Sequence, residues 1–232
     1  MMQDPDALRL RREGRTAGAL YLVVVLSGMF CLAYVPPQLG ATLAEARAHS
    51  GLFRAGIAAF LLMQVAFLLV PLALYRVFAD VDRRAAVLMV ALAAVSVPIG
   101  LVAVTHRLEA LSLLQDPAHA GEAAQAAFSA SLRRYGQGLR IASLFWGLWL
   151  LPFGWLVLRS ARLPRVLGLL LVLGGIGYVA KALGGLAPDI AASGLLDQAT
   201  LPAALGEIGS CLWLLAFGAR QGRTGASPVS PS

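Results

Sequence analysis

Residues 135–184 decide the fold of this chain: they read YGQGLRIASLFWGLWLLPFGWLVL (135–158), RSARLPR (159–165) and VLGLLLVLGGIGYVAKALG (166–184). Two apolar runs, each long enough to cross a bilayer, are joined by a short turn that carries three arginines. A helix needs about 20 apolar residues to cross the hydrocarbon core. The stretch therefore predicts a membrane-spanning helical hairpin, and the arginines predict that its turn faces the cytoplasm.

The composition of the whole chain agrees with a membrane protein. Of its 232 residues, 59% are hydrophobic and 13% are charged, whereas soluble domains carry about 25% charged residues. The net charge is +7, but the basic residues lie in short clusters between apolar runs. We therefore assign the charge to membrane topology and exclude nucleic acid as a partner.

Six apolar runs are present. The basic segment 1–15 precedes the first of them, and because five more runs follow we predict a retained helix rather than a cleaved signal peptide. The segment 220–232 is rich in Pro, Ser and Gly and predicts a disordered cytoplasmic tail. We thus predict an all-α, polytopic membrane helical bundle within residues 16–219, with six transmembrane helices at about 16–35, 52–77, 85–105, 135–158, 166–186 and 201–219.

The distribution of basic residues predicts the orientation of the bundle. Twelve of the 19 Lys and Arg residues fall on the side that holds both terminal segments, and seven fall on the other. Basic residues are enriched in cytoplasmic loops. We expect both terminal segments to lie in the cytoplasm.

The connection between the third and fourth runs leaves two alternatives open. Asp116-Pro117 is a good helix start, and the alanine-rich segment 117–132 that follows is predicted to be helical. It either lies at the membrane interface or extends the fourth span.

Four charged side chains lie inside predicted spans, in the outer third of the bilayer: Arg54, Arg140, Lys181 and Glu207. Such residues are costly in a membrane and are candidates for a functional site. Each has glycine, alanine or serine at helical spacing, and small residues mark helix contact surfaces. We expect them, with Tyr135, to line an outward-facing polar pocket with net positive charge, in which Glu207 pairs with one cation. The alternative is a structural ion pair, with the other cations reaching to the interface.

No catalytic or metal-binding pattern accompanies these charges. The chain lacks HExxH, GxSxG, P-loop and CxxC motifs, and His49, His106 and His119 have no helical ligand spacing. We predict no cofactor and no metal site. Cys31 and Cys211 lie within apolar runs and are predicted to be buried thiols.

Several segments resemble one known family. RTAGALYLVVVLSG at the first span, SGLFRAGI at the second, the turn SARLPRVLG and GEIGSCLWLLAFG at the last span are similar to the bacterial multi-pass membrane family catalogued as domain of unknown function 4386. The resemblance implies a bacterial inner-membrane protein and names no reaction. Family members often carry histidines where this chain has Arg133 and Trp149, so any chemistry of those histidines is absent here or is performed otherwise.

Three function classes follow. We expect a binding or accessory protein whose pocket takes an anionic lipid or a small ligand, with membrane lipids as its partners. A small transporter is the second class, although mid-span polar residues are few: Gln64, Ser96 and Ser143. A membrane-embedded enzyme is the third class and is disfavoured, because no paired acid and base stand out.

Overall fold

A computed structural model of the protein describes residues 5–116, 121–184 and 198–220, and every regular element in those ranges is helical. In chain order the elements are α1 (Pro5–Gly28), a π-helical turn (Met29–Tyr34), α2 (Val35–Gln38), α3 (Leu43–Ala48), α4 (Ser50–Phe78), α5 (Arg83–Gln115), α6 (Glu122–Ser160), α7 (Arg165–Gly184) and α8 (Leu201–Phe217).

The predicted all-α membrane bundle is confirmed, but the span count differs. Five helices are long and apolar enough to cross a membrane by length and composition: Pro5–Gln38 taken as one, α4, α5, α6 and α7. The sixth apolar helix, α8, has 17 residues and therefore measures about 26 Å, slightly less than a hydrocarbon core of about 30 Å. The end of the fifth predicted span and the predicted tail beyond Arg220 lie outside the described residues.

The long helices exceed the predicted spans at one end of the bundle. α5 continues ten residues beyond the predicted end at Thr105, and α6 begins at Glu122 rather than at Tyr135. Of the two alternatives for the connection, the described part from Glu122 onward thus extends the fourth span, while residues 117–120 lie outside the described chain. Phe128 of α6 is buried in the same core as Leu114 of α5. This packing explains why the helices continue.

The first helix also runs further than predicted. We expected it to stop before Pro36 and Pro37, yet α2 includes both prolines and ends at Gln38. The prolines are the second and third residues of α2, and proline is tolerated in the first turn of a helix. The π-helical turn precedes them directly.

The six long helices form a closed ring in chain order. Each of α1, α4, α5, α6 and α7 packs against the next in that series, α7 packs against α8, and α8 returns to α1. Large aromatic side chains fill the interior. Trp149 of α6 stacks on Phe153 with ring centroids 5.5 Å apart and meets Phe67 of α4 edge-on at 5.2 Å.

Two packed cores divide the interior. The first surrounds Tyr21 and Trp149 and reaches the end of the bundle at which α1 begins. The second surrounds Phe53 and Phe60 and reaches under α2 and α3 at the opposite end. Trp146 contacts both cores. The outer surface, by contrast, exposes large apolar side chains such as Val65 and Val102, as expected of a surface that faces lipid.

Glycines set the closest helix contacts. A Cβ on Gly147 of α6 would lie 2.7 Å from the carbonyl oxygen of Gly175 on α7, and one on Gly154 would lie 2.7 Å from that of Gly168. On the other side of α7, a Cβ on Gly174 would lie 2.2 Å from the backbone nitrogen of Ala203. Without a Cβ the backbones approach closely, which is how helices associate in lipid. α7 is therefore held between α6 and α8.

Candidate ligand-binding cavity

Glu207 of α8 is partly buried in the bundle and contacts Tyr21 of α1. The Tyr21 hydroxyl donates a hydrogen bond of 2.8 Å to Glu207 Oε1. The two helices are brought together by Gly18, where an added Cβ would lie 2.7 Å from the backbone nitrogen of Leu215. Close packing of α1 on α8 thus positions the carboxyl group.

A cavity of about 320 Å³ surrounds this pair. Its volume suits a small ligand. The lining residues come from six elements: α1, the π-helical turn, α4, α6, α7 and α8. Most of these residues are apolar or aromatic. The wall is formed by Tyr21, Val24, Val25, Gly28, Met29, Leu32, Ala33, Met63, Phe67, Trp146, Trp149, Tyr178, Ala204, Glu207 and Ile208.

The cavity has a buried side and an exposed rim. Phe67, Trp149 and Met63 form its inner wall and are 5% exposed or less. Met29 of the π-helical turn and Ile208 of α8 lie at the rim and are exposed. The rim therefore faces outward between the first helix and α8, on the apolar surface of the bundle. π-helical turns recur at functional sites in helices.

The charge of the cavity is that of an acid without a basic partner. Among the described residues, no lysine or arginine forms an ion pair with Glu207, and its hydrogen bond comes from a neutral hydroxyl. We expected Glu207 to pair with a cation, and this expectation is wrong. A carboxylate in apolar surroundings is costly unless it is neutral or meets a cation.

The structure does not bring together the charged residues that the sequence singled out. Arg54, Arg140 and Lys181 are exposed, although we expected them to point into the bundle. The glycines beside two of them do not form helix contacts: a Cβ added to Gly51 or Gly136 would meet nothing within 4 Å. Helical spacing to glycine was a poor guide, because glycines also occur on open faces.

Tyr135, the remaining predicted site residue, is buried and faces a different cation. The guanidinium of Arg107 lies over its ring at 5.1 Å from the centroid, and over the ring of Phe53 at 4.7 Å. Arg107 is only 3% exposed. Sequence reasoning missed it because it follows the predicted end of the third span. The apolar spacing of Leu108, Leu111 and Leu114 could have signalled that the helix continues.

Tyr21 was missed for another reason. Its partner Glu207 lies 186 residues away in the chain, so no local pattern identifies it. Trp149, one of the positions that the resemblance singled out, lines the cavity, whereas Arg133 is exposed at the end of the bundle.

Both cysteines of the chain lie in the packed interior. Cys31 and Cys211 are free and buried, and Cys211 Sγ lies 3.6 Å from the carbonyl oxygen of Gly18. Within the described ranges, no group of three or more His, Cys, Asp or Glu residues could hold a metal ion.

The helical bundle and its apolar outer surface define an α-helical membrane protein. Residues 16–218 match the family model described as Domain of unknown function (DUF4386), and the chain belongs to this family. Neither the comparison with curated proteins nor the comparison with solved structures found a match.

Proposed function

We propose that the protein is a membrane-embedded binding protein whose cavity takes an amphiphilic cation, a quaternary or protonated amine with an apolar tail. The observation that carries the proposal is the position of Glu207, a carboxyl group that lies in an aromatic cavity and has no basic partner among the described residues. Ring faces attract a cation as a carboxylate does. The cavity therefore offers both elements of a cation site.

The rim supports entry from the bilayer. Met29 and Ile208 flank it and are exposed on the apolar surface between the first helix and α8. An amphiphile could place its charged group beside Glu207 while its tail stays among the lipids. This arrangement favours a ligand that is already dissolved in the membrane.

The mid-span polar residues favour binding over transport. Gln64 Nε2 donates to the carbonyl oxygen of Val97 at 3.2 Å, and the Ser96 hydroxyl donates to that of Ala93 at 2.8 Å. Ser143 likewise bonds to the backbone of its own helix, one turn back. Side chains that satisfy backbone groups do not line a polar path. The cavity is thus better described as a blind pocket than as a part of a channel.

The test compares two amphiphiles that share a tail and differ in charge. The protein in phosphatidylcholine nanodiscs is titrated with decyltrimethylammonium and with decyl sulfate, and tryptophan fluorescence is followed because Trp146 and Trp149 line the cavity. We expect the cation to bind at least about tenfold more tightly, which corresponds to about 1.4 kcal/mol.

The matched variants are Glu207→Gln and Glu122→Gln, the latter at an exposed carboxyl at the start of α6. Glu207→Gln should lose the preference for the cation, and Glu122→Gln should keep it. Equal affinity of the wild type for both amphiphiles, or unchanged cation binding in Glu207→Gln, would overturn the proposal.

We also propose that the protein lies in the inner membrane of a bacterial cell, with the hairpin turn at Arg159 to Arg165 in the cytoplasm. The family resemblance and the distribution of basic residues support this orientation. Single cysteines at Arg159 and at Glu122, introduced into a chain with Cys31→Ala and Cys211→Ala, test it. A membrane-impermeant maleimide added to spheroplasts should label the position at Glu122 and leave the one at Arg159 unlabelled. The reverse result would contradict the orientation.

A further inference from the structure

Arg107 is a buried cation for which the described chain supplies no counter-ion. It lies on α5, just beyond the predicted third span, and the residue is only 3% exposed. No carboxylate among the described residues forms an ion pair with it. A guanidinium in such surroundings is strongly unfavourable unless its charge is compensated.

One of its hydrogen-bonding groups is unused as well. Within the part of the chain that the structure describes, Arg107 Nε is buried without a hydrogen-bond partner, and so is the hydroxyl oxygen of Tyr135. A guanidinium carries five N–H donors in one plane, and the rings of Phe53 and Tyr135 accept none of them in the usual way. Their contacts with the cation are made through ring faces.

The surroundings are otherwise apolar. α4 contributes Phe53 and Phe60, the latter meeting Tyr135 edge-on with centroids 5.9 Å apart. The π-helical turn contributes Cys31, which is buried in the same core as Phe53 and Phe60. Three elements, α4, α6 and the π-helical turn, therefore surround the positive charge on α5, and among the described residues they bring a phenol and a thiol but no acid.

We propose that Arg107 and Tyr135 bind an oxyanion, the carboxylate or phosphate group of a ligand. The planar guanidinium matches such groups with two parallel hydrogen bonds, and the Tyr135 hydroxyl is a further free donor. The site is separate from the cavity around Glu207, which has the opposite charge. The oxyanion is either the headgroup of a lipid or a soluble ion, because the site lies where α5 leaves the predicted span.

The experiment measures thermal unfolding of the full chain in mild detergent with two probes. Inorganic phosphate is compared with chloride at equal ionic strength, and phosphatidylglycerol is compared with phosphatidylcholine. Arg107→Met removes the buried charge. Arg133→Met removes an exposed charge at the same end of the bundle and is the matched control.

At about ten times its Kd, a bound anion should raise the unfolding midpoint of the wild type and of Arg133→Met by about 3 °C. The unfolding midpoint of Arg107→Met should not shift with either probe. Tyr135→Phe should need a several-fold higher concentration of the probe than the wild type for the same shift. A response to phosphate identifies a soluble oxyanion, and a response to phosphatidylglycerol alone identifies a lipid headgroup.

Arg107→Lys keeps the charge but lacks the planar set of donors, and it replaces Arg107→Met in the experiment if that variant does not fold. It should require about tenfold more probe for the same shift. The proposal is overturned if neither probe stabilises the wild type, or if the Arg107 variants respond as strongly as Arg133→Met.

Discussion

Arg162, in the turn between α6 and α7, binds both carboxylate oxygens of Asp80, in the turn between α4 and α5. The same guanidinium donates to the carbonyl oxygen of Val77, and the backbone carbonyl of Arg162 accepts from the amide of Arg220 at 3.3 Å. Arg162 is 8% exposed. One arginine that we read as a topology signal thus ties three chain segments together at one end of the ring.

Replacing Arg162 should destabilise the bundle more than replacing its neighbour. We expect Arg162→Gln to lower the free energy of unfolding by about 2 kcal/mol, because the Val77 carbonyl and Asp80 lose a charged donor. Arg159 makes a longer, exposed contact of 3.7 Å with Asp82, so Arg159→Gln should cost less than about 0.5 kcal/mol. Denaturant titration of both variants in mild detergent measures the difference, and equal effects would contradict the structural role of Arg162.

The Asp80–Arg162 pair should also make stability depend on pH. Hydrogen bonds from Arg162 hold the pKa of Asp80 below its ordinary value of 3.8. The stabilisation is therefore complete above pH 3.8 and is lost as the pH falls through the lowered value in the folded protein. Asp80→Asn should unfold at a lower temperature than the wild type at neutral pH, and the two midpoints should converge in acid. A gap between them that stays constant down to about pH 2 would contradict this linkage.

Two glycine substitutions should have opposite effects. Gly174→Ala places a Cβ 2.2 Å from the backbone nitrogen of Ala203, and because backbone cannot yield cheaply, α7 and α8 must separate. We expect a loss of at least about 2 kcal/mol. Gly136→Ala meets nothing within 4 Å and should stabilise α6 by about 0.5–1 kcal/mol through helix propensity. An unfolding midpoint of Gly174→Ala that is unchanged or raised would show that this helix contact is not tight.

Removing the Tyr21 hydroxyl should affect the carboxyl group of Glu207. Tyr21→Phe leaves Glu207 without its hydrogen bond in an apolar cavity, which should cost about 1–2 kcal/mol. The control is Tyr34→Phe, since Tyr34 is exposed and its hydroxyl should contribute little. Difference infrared spectra against Glu207→Gln isolate the carboxyl band of Glu207. That band should shift in Tyr21→Phe, and an unchanged band would mean that the hydrogen bond is unimportant.

The membrane helices could be predicted from the sequence because each depends on the apolar character of its own run of residues. The run from Tyr135 to Leu158 is apolar enough to span, and its helix is present. Whether α6 begins as early as Glu122 could not be decided from the sequence. That extension depends on Phe128, which packs in the second core together with residues of α5.

The candidate site was much less accessible to sequence reasoning. Glu207 was identified because a carboxyl group inside a span is unusual, and this signal is also local. The contact of Glu207 with Tyr21 and with the aromatic side chains of the cavity depends on which helices pack together. Helical spacing within one helix does not predict that packing. Arg54 and Arg140 were misplaced because a glycine at helical spacing does not determine where a long side chain points: Arg140 is exposed, although Gly147, seven residues on, contacts α7.

The closed ring gives the Tyr21–Glu207 hydrogen bond a further meaning. Each of the other interfaces of the ring joins long helices that follow one another in the chain, whereas α1 and α8 are its first and last. Every other neighbour pair can dock as the chain emerges, but Glu207 meets Tyr21 only after α8 has been made and has closed the circle. The cavity around Glu207 is therefore a product of completed assembly, and a chain cut before Leu201 would keep the other five long helices but lack this cavity.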